Sequence, residues 1–159
     1  MESTMKDFEI RSAVRTDAEH INYLFRERGK TDDEKHVLAR VARATEDMEN
    51  LLALAVIGGN AVGYIWVQNY GPHLRTGMSI ARLQDIFVRP PERRSGIAKA
   101  LFKYGEEWCK KNGISYLQWQ ATAEAIHFYE SLGLTPDTKS DLEENPFFEI
   151  DFTKNKSLH

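Results

Sequence analysis

The chain has 159 residues, 42% of them hydrophobic, and a formal net charge of −3. That length can bury a core of its own, so a single domain over 1–159 is expected. A mildly acidic chain is a poor general nucleic-acid binder, and no apolar run is long enough to cross a bilayer, so neither partner is expected.

The opening MESTMKDFEI lacks the basic start and apolar centre of a secretory leader. The single cysteine, Cys109, allows no intramolecular disulfide and fits a reducing, cytoplasmic setting. Residues 7–14, DFEIRSAV, alternate and predict a first strand. Thr16 with Glu19 has the capping-box pattern, followed by Ile21, Leu24 and Phe25 on one helical face. Thr31 with Glu34 repeats it before Val37, Leu38, Val41, Ala42 and Met48, so two helices are predicted. Residues 51–57, LLALAVI, read as a strand covered on both sides. Gly58, Gly59 and Asn60 then turn the chain into a second strand, 61–68. A loop over 69–77 leads to a third, 79–88.

Residues 89–102, RPPERRSGIAKALF, join that strand to a helix. In the helix, Ile97, Leu101, Tyr104 and Trp108 form one stripe, and Asn112-Gly113 ends it. A strand over 115–121 follows, then a short helix lined by Ala125, Ile126, Phe128, Tyr129 and Leu132, then a last strand over 147–152. The order is β-α-α-β-β-β-α-β-α-β, an α/β (α+β) chain whose mixed sheet is flanked by helices. The unit from 79–88 through the helix to 115–121 should be a right-handed parallel crossover.

A helix start has unpaired N–H groups and a partial positive charge, so the turn at Arg93, Arg94, Ser95, Gly96, Ile97, Ala98 and Lys99 has the makings of an anion cradle. Gly96 would let a phosphate approach the backbone. The plainer alternative is a tight strand-to-helix turn beside two solvated arginines. Neither a P-loop nor a dinucleotide fingerprint is present.

The run Ala125 to Leu134, AIHFYESLGL, settles the balance. With it the chain resembles the GNAT superfamily of acyl-CoA N-acyltransferases. That family's phosphate motif, [Q/R]-x-x-G-x-[G/A], is matched by Arg93 to Ala98, and its later A-x-x-[FL]-Y-x-x-x-G-[FL] run by Ala125 to Leu134. The resemblance implies a central sheet of about six to seven strands with about four helices. It implies acetyl-CoA as acyl donor and a primary amine as acceptor, with direct attack in a ternary complex. The 79–88 strand would offer backbone groups near Phe87 and Val88 to the pantetheine and thioester, carrying a bulge and splaying from its neighbour to leave a slot. The amides of Arg94 to Lys99 would hold the pyrophosphate, with Arg93 either assisting by charge or facing water. Thr122 stands where the family often has Asn, and its hydroxyl would meet the pantetheine arm. Tyr129 matches the usual general acid; its alternative is a core tyrosine.

The attacking amine, with a pKa of about 10.4, costs roughly 4–5 kcal/mol to neutralise at pH 7. Asp85 is the candidate base; its alternative is an ion pair with Arg82 or Arg89. Relatives acting on polyamines carry two acids here, whereas this chain has Gln84-Asp85, which weakens a polyamine reading. Tyr64, Trp66 and Trp119 either line a cleft or pack the core. His20, His36, His73, His127 and His159 show no ligand spacing, so no metal is expected. Cys109 reads as a packed thiol. Many members of the family dimerise, which leaves a homodimer open. The competing function is a CoA-binding sensor or scaffold without turnover.

Overall fold

The computed structural model describes residues 7–136, 146 and 148–153. The chain divides into two compact units, residues 1–120 and 121–159. The first carries β1 (Glu9–Ser12), a 3-10 turn (Arg15–Asp17), α1 (Ala18–Arg28), α2 (Glu34–Glu46), β2 (Asn50–Ile57), β3 (Asn60–Pro72), β4 (Ser79–Val88), a second 3-10 turn (Pro90–Glu92), α3 (Ile97–Lys111) and β5 (Tyr116–Gln118). The second carries α4 (Ile126–Ser131).

The sheet order is β1-β2-β3-β4-β5, with antiparallel pairing up to β4 and β5 parallel to it. The mixed α/β class and the element order hold, with five strands among the described residues where six or seven were expected. The missing one is the 147–152 strand. Phe147 lies outside the described residues, and 148–152 form no strand, with Phe148, Ile150 and Phe152 all exposed. Alternation makes a strand only where a ladder partner exists. β3, by contrast, runs on to Pro72, because Asn69 still faces Ala81 and Pro72 faces Ser79. A proline is tolerated at that strand end. Gly58 and Gly59, at φ +56° and +84°, make the two-residue turn between β2 and β3.

The two faces of the sheet follow from the pleat. Leu52, Leu54 and Tyr64 pack with Ile21, Leu24, Val37 and Val41 of α1 and α2. Ile65 and Val67 point the other way and meet α3 at Gly105, where a Cβ would lie 2.9 Å from Ile65 Cδ1. The helix backbone comes closest at that glycine, so its buried line is Ile97, Leu101, Gly105 and Cys109, with Phe102. The expected Tyr104 and Trp108 flank this line, half-buried.

Neither expected capping box forms, and α1 and α2 begin without a side-chain cap. At the second, a partner outside the helix draws the acid away. Glu34 accepts from the amide of buried Asn22 at 3.0 Å. Asp17 takes both Arg11 nitrogens, at 2.8 and 2.9 Å, and the Val14 N–H at 2.8 Å. α2 closes at Glu46, which leaves Met48 outside it and exposed.

Candidate functional site

The turn into α3 is built to leave its amides open. Gly96 is the N-cap, in the left-handed region at φ +87°, and Arg94 is left-handed too at φ +65°. An L side chain at Gly96 would be strained by about 1–2 kcal/mol, although the space beside it is empty. No group among the described residues accepts from the N–H of Arg94, Ser95, Gly96, Ile97, Ala98 or Lys99. The first bonded amide is Ala100, which donates to the Gly96 carbonyl at 3.0 Å. No acid sits in the first helical turn to offset its positive end. Unpaired donors, positive charge and open space beside a glycine together suit a phosphate-bearing group.

Two side chains of the turn are committed elsewhere. Ser95 Oγ donates to the Glu92 carbonyl at 2.5 Å. Arg93 Nε donates to the Val88 carbonyl at 2.9 Å, and its guanidinium lies 5.6 Å from the Phe87 ring centre. Arg93 therefore ties the turn to the end of β4, and any cradle rests on main-chain amides. The same bond occupies one lone pair of the Val88 carbonyl, a group expected from the sequence to face the thioester end. Phe87 and Val88 are themselves buried.

β4 and β5 part company early. Their pairing covers only Ile80, Ala81 and Arg82 against Tyr116, Leu117 and Gln118, while β4 continues to Val88. On its other side β4 remains paired with β3 as far as Gly63↔Val88. Gly63 is needed there, since a Cβ would sit 2.8 Å from the Phe87 carbonyl oxygen. Beyond Arg82, then, β4 has no β5 partner, which is the splay expected of a cofactor slot.

A bulge lies on the same stretch. Trp66 faces Asp85 and Val67 faces Leu83, so Gln84 is the extra residue. Gln84 Nε2 bonds Gln68 Oε1 at 3.0 Å and Tyr70 Oη at 3.1 Å. Asp85 is thereby turned toward α1. Its Oδ2 accepts from the Tyr64 hydroxyl at 2.6 Å, and its Oδ1 lies 3.3 Å from Arg28 Nε. The expected partners Arg82 and Arg89 are not used; Arg89 pairs with Glu27 at 2.6 Å. Burial first, and then the Asp85 carboxylate, push the Tyr64 phenol far above its usual 10.0, so it serves as a lasting donor. Each carboxylate oxygen keeps a lone pair for a further partner.

Asp85, Tyr64, Arg28 and Trp66 border a cavity of about 390 Å³ between the sheet and the α1–α2 segment. Tyr64 and Trp66 thus serve as core and cavity wall at once. The Trp66 indole is fixed by Asn50 Oδ1 at 2.7 Å. Trp119 instead packs edge-on against Phe102, 5.5 Å between centres. The resemblance implied a bulge on this strand but not its place at Gln84, and the sequence supplied no sign of Arg28. The Gly96 turn, by contrast, was readable from its own residues.

In the second unit, Thr122 Oγ1 and O both accept from the Ala125 N–H, at 3.3 and 2.9 Å, so the threonine opens the turn into α4. Tyr129 is half-buried on α4, its ring 5.0 Å from that of Phe128. His127 is exposed and pairs with Glu130 at 3.4 Å. In the first unit, Cys109 is buried, and burial pushes its thiol up to about 11, which suppresses thiolate chemistry. Among the described residues no cluster of three or more His, Cys, Asp or Glu is placed to hold a metal. None of their helices is long and apolar enough to cross a membrane.

The profile of the acetyltransferase (GNAT) family matches residues 13–134. A thialysine N-epsilon-acetyltransferase of Caenorhabditis elegans is 27% identical over 149 residues, spanning 86% of this chain and 89% of that protein. Glucosamine-6-phosphate N-acetyltransferase of Arabidopsis thaliana superposes with a TM-score of 0.74 at 16% identity, over 84% of this chain and 95% of that one. A ribosomal-protein-alanine N-acetyltransferase of Brucella melitensis superposes with a TM-score of 0.70 at 22% identity, over 91% and 99%. These two share the fold.

Proposed function

The chain belongs to the acetyltransferase (GNAT) family, and we propose that it moves an acetyl group from acetyl-CoA to a primary amine by direct attack. The observation that carries this reading is the row of open amides from Arg94 to Lys99 beside a β4 edge released from β5. In this assignment the amides bind the pyrophosphate, and the freed edge of β4 takes the pantetheine arm in extended form. Acetyl-CoA supplies the activated acyl carbon. The acceptor amine enters the cavity bordered by Trp66 and Asp85.

Asp85 has two tasks there. As a carboxylate it attracts an ammonium group, and directly or through water it takes the proton that blocks attack. Tyr64 holds Asp85 for both tasks through the 2.6 Å bond. Tyr129 is assigned the general-acid role, delivering a proton to the departing thiolate, on the strength of its place in the Ala125–Leu134 motif. Thr122 is assigned a contact to the pantetheine arm on the same ground. The worm relative's name favours a terminal side-chain amine as the group acylated.

The test is release of free thiol from acetyl-CoA across an amine panel. Acceptor-dependent release supports transfer. Tight CoA binding with no release for any amine supports a sensor or scaffold instead.

A further inference from the structure

Granted that an acceptor amine enters the cavity beside Asp85, on which this inference rests, the carboxylate that would receive it already has a cation. Its two oxygens are held unequally. Oδ2 accepts from the hydroxyl of fully buried Tyr64 at 2.6 Å. Oδ1 has Arg28, through Nε alone and at 3.3 Å. The Arg28 side chain is 51% exposed and that of Asp85 29%. The structural pair Arg11–Asp17 differs on every count. There two guanidinium nitrogens reach two carboxylate oxygens, at 2.8 and 2.9 Å, and the acid is 6% exposed. One long contact between partly exposed groups holds less firmly than such a fork. Among the described residues Asp85 is also the only carboxylate that pairs with Arg28, since Glu27 is taken by Arg89 and Glu34 lies beside Arg26. Arg28 stands in the last turn of α1, whose carbonyl end attracts a guanidinium that lets go of its partner.

We propose that Arg28 is a displaceable counter-ion that sets how tightly this cavity holds its acceptor. With no amine present it neutralises Asp85. An entering ammonium takes over Oδ1, Arg28 moves out toward solvent, and Tyr64 keeps Oδ2, so the carboxylate does not turn during the exchange. One cation replaces another, and the charge beside Asp85 stays the same. The cost of moving Arg28 is subtracted from the binding of every ammonium acceptor alike. Contact with the apolar walls, Phe25, Val37, Val41 and Leu52, offsets it, and a bare ammonium ion makes no such contact.

The test is an NMR titration of the whole chain, with CoA bound, by n-butylamine, one ammonium on a plain methylene stem. The Trp66 indole N–H reports that the cavity is filled, and the Arg28 Nε–H signal should move along the same saturation curve. In Arg28→Gln the Kd read from Trp66 should fall by about two- to fivefold, the scale of one partly exposed ion pair. Arg28→Lys keeps the charge and should stay near the parent. n-Pentylamine should gain by the same factor in Arg28→Gln, because the cost of moving Arg28 does not depend on what moves it. Arg28 is exposed and glutamine suits a helix, so the variant should fold. A Trp66 shift that leaves the Arg28 signal in place overturns the proposal. So does a Kd unchanged or raised in Arg28→Gln, or an amine that moves neither signal. Movement of both signals, with no thiol released from acetyl-CoA for any amine of the panel, keeps the counter-ion role and overturns acetyl transfer alone.

Discussion

Tyr64 donates its hydroxyl to Asp85 across 2.6 Å, joining the most buried aromatic of the sheet to the acid on the β4 bulge. The tyrosine cannot swing, because Phe25 packs edge-on at 5.1 Å and Phe87 lies at 6.0 Å. Asp85 is thus aimed by the core. Tyr64→Phe keeps the ring and deletes the bond. Asp85 is partly exposed and can be rehydrated, so the fold should lose only about 1 kcal/mol. Acceptor kcat/KM should fall by about tenfold, the equivalent of one modest hydrogen bond. Thermal melting and steady-state kinetics read the two effects separately; unchanged kinetics would remove Tyr64 from the site.

Asp85→Asn tests the proton-accepting role. At pH 7 it should lower kcat/KM by about a hundredfold or more, the usual scale for a lost general base. The deficit should shrink as pH rises toward the amine's pKa of about 10.4, because the free base then forms without help. A deficit constant across pH would mean that Asp85 only positions the amine.

Tyr129→Phe should lower kcat more than it alters the Kd for CoA, since a leaving-group acid acts after binding. Single-turnover kinetics beside a CoA titration measures the split. An untouched rate with a raised Kd would make Tyr129 a binding residue and leave the acid unassigned.

Asp17 is buried, and the Arg11 guanidinium holds its carboxyl below the usual 3.8. A depressed carboxyl stabilises the fold at pH values above the unfolded value, and that contribution fades as pH falls through the folded one. Arg11 is partly exposed, which limits the loss, and Asp17→Asn should cost about 2–3 kcal/mol at pH 7. The gap to the parent should narrow as the pH falls below 3.8. Urea unfolding at neutral and acid pH tests this; a gap independent of pH would assign the loss to packing.

What the sequence disclosed was what its neighbours in sequence determine. Gly96 was readable as the small residue of a tight strand-to-helix turn, and Gly58-Gly59 as a hairpin turn. The motifs around Gly96 and Tyr129 are contiguous, so they were readable without a fold. Asp85 was readable as a lone acid, but its partners were not. Arg28 lies far away in sequence on another element, and the bulge at Gln84 exists only as a register slip against β3. The Thr31–Glu34 capping box failed for the same reason, because Asn22 claimed the glutamate from outside the helix. Tyr104 and Trp108 looked central in α3 because they are large, whereas packing distance made Gly105 the centre. The residues 148–152 had the composition of a strand but pair with no strand among the described residues.

The central claim is that the amides at the start of α3 hold the donor's pyrophosphate. Amide-resolved NMR with added CoA tests it most directly. The N–H signals of Arg94, Ser95, Gly96, Ile97, Ala98 and Lys99 are expected to shift together as CoA saturates, and Gly96→Val to abolish the shifts and weaken binding. Saturable CoA binding that leaves those six signals in place, or survives Gly96→Val at full affinity, would contradict it.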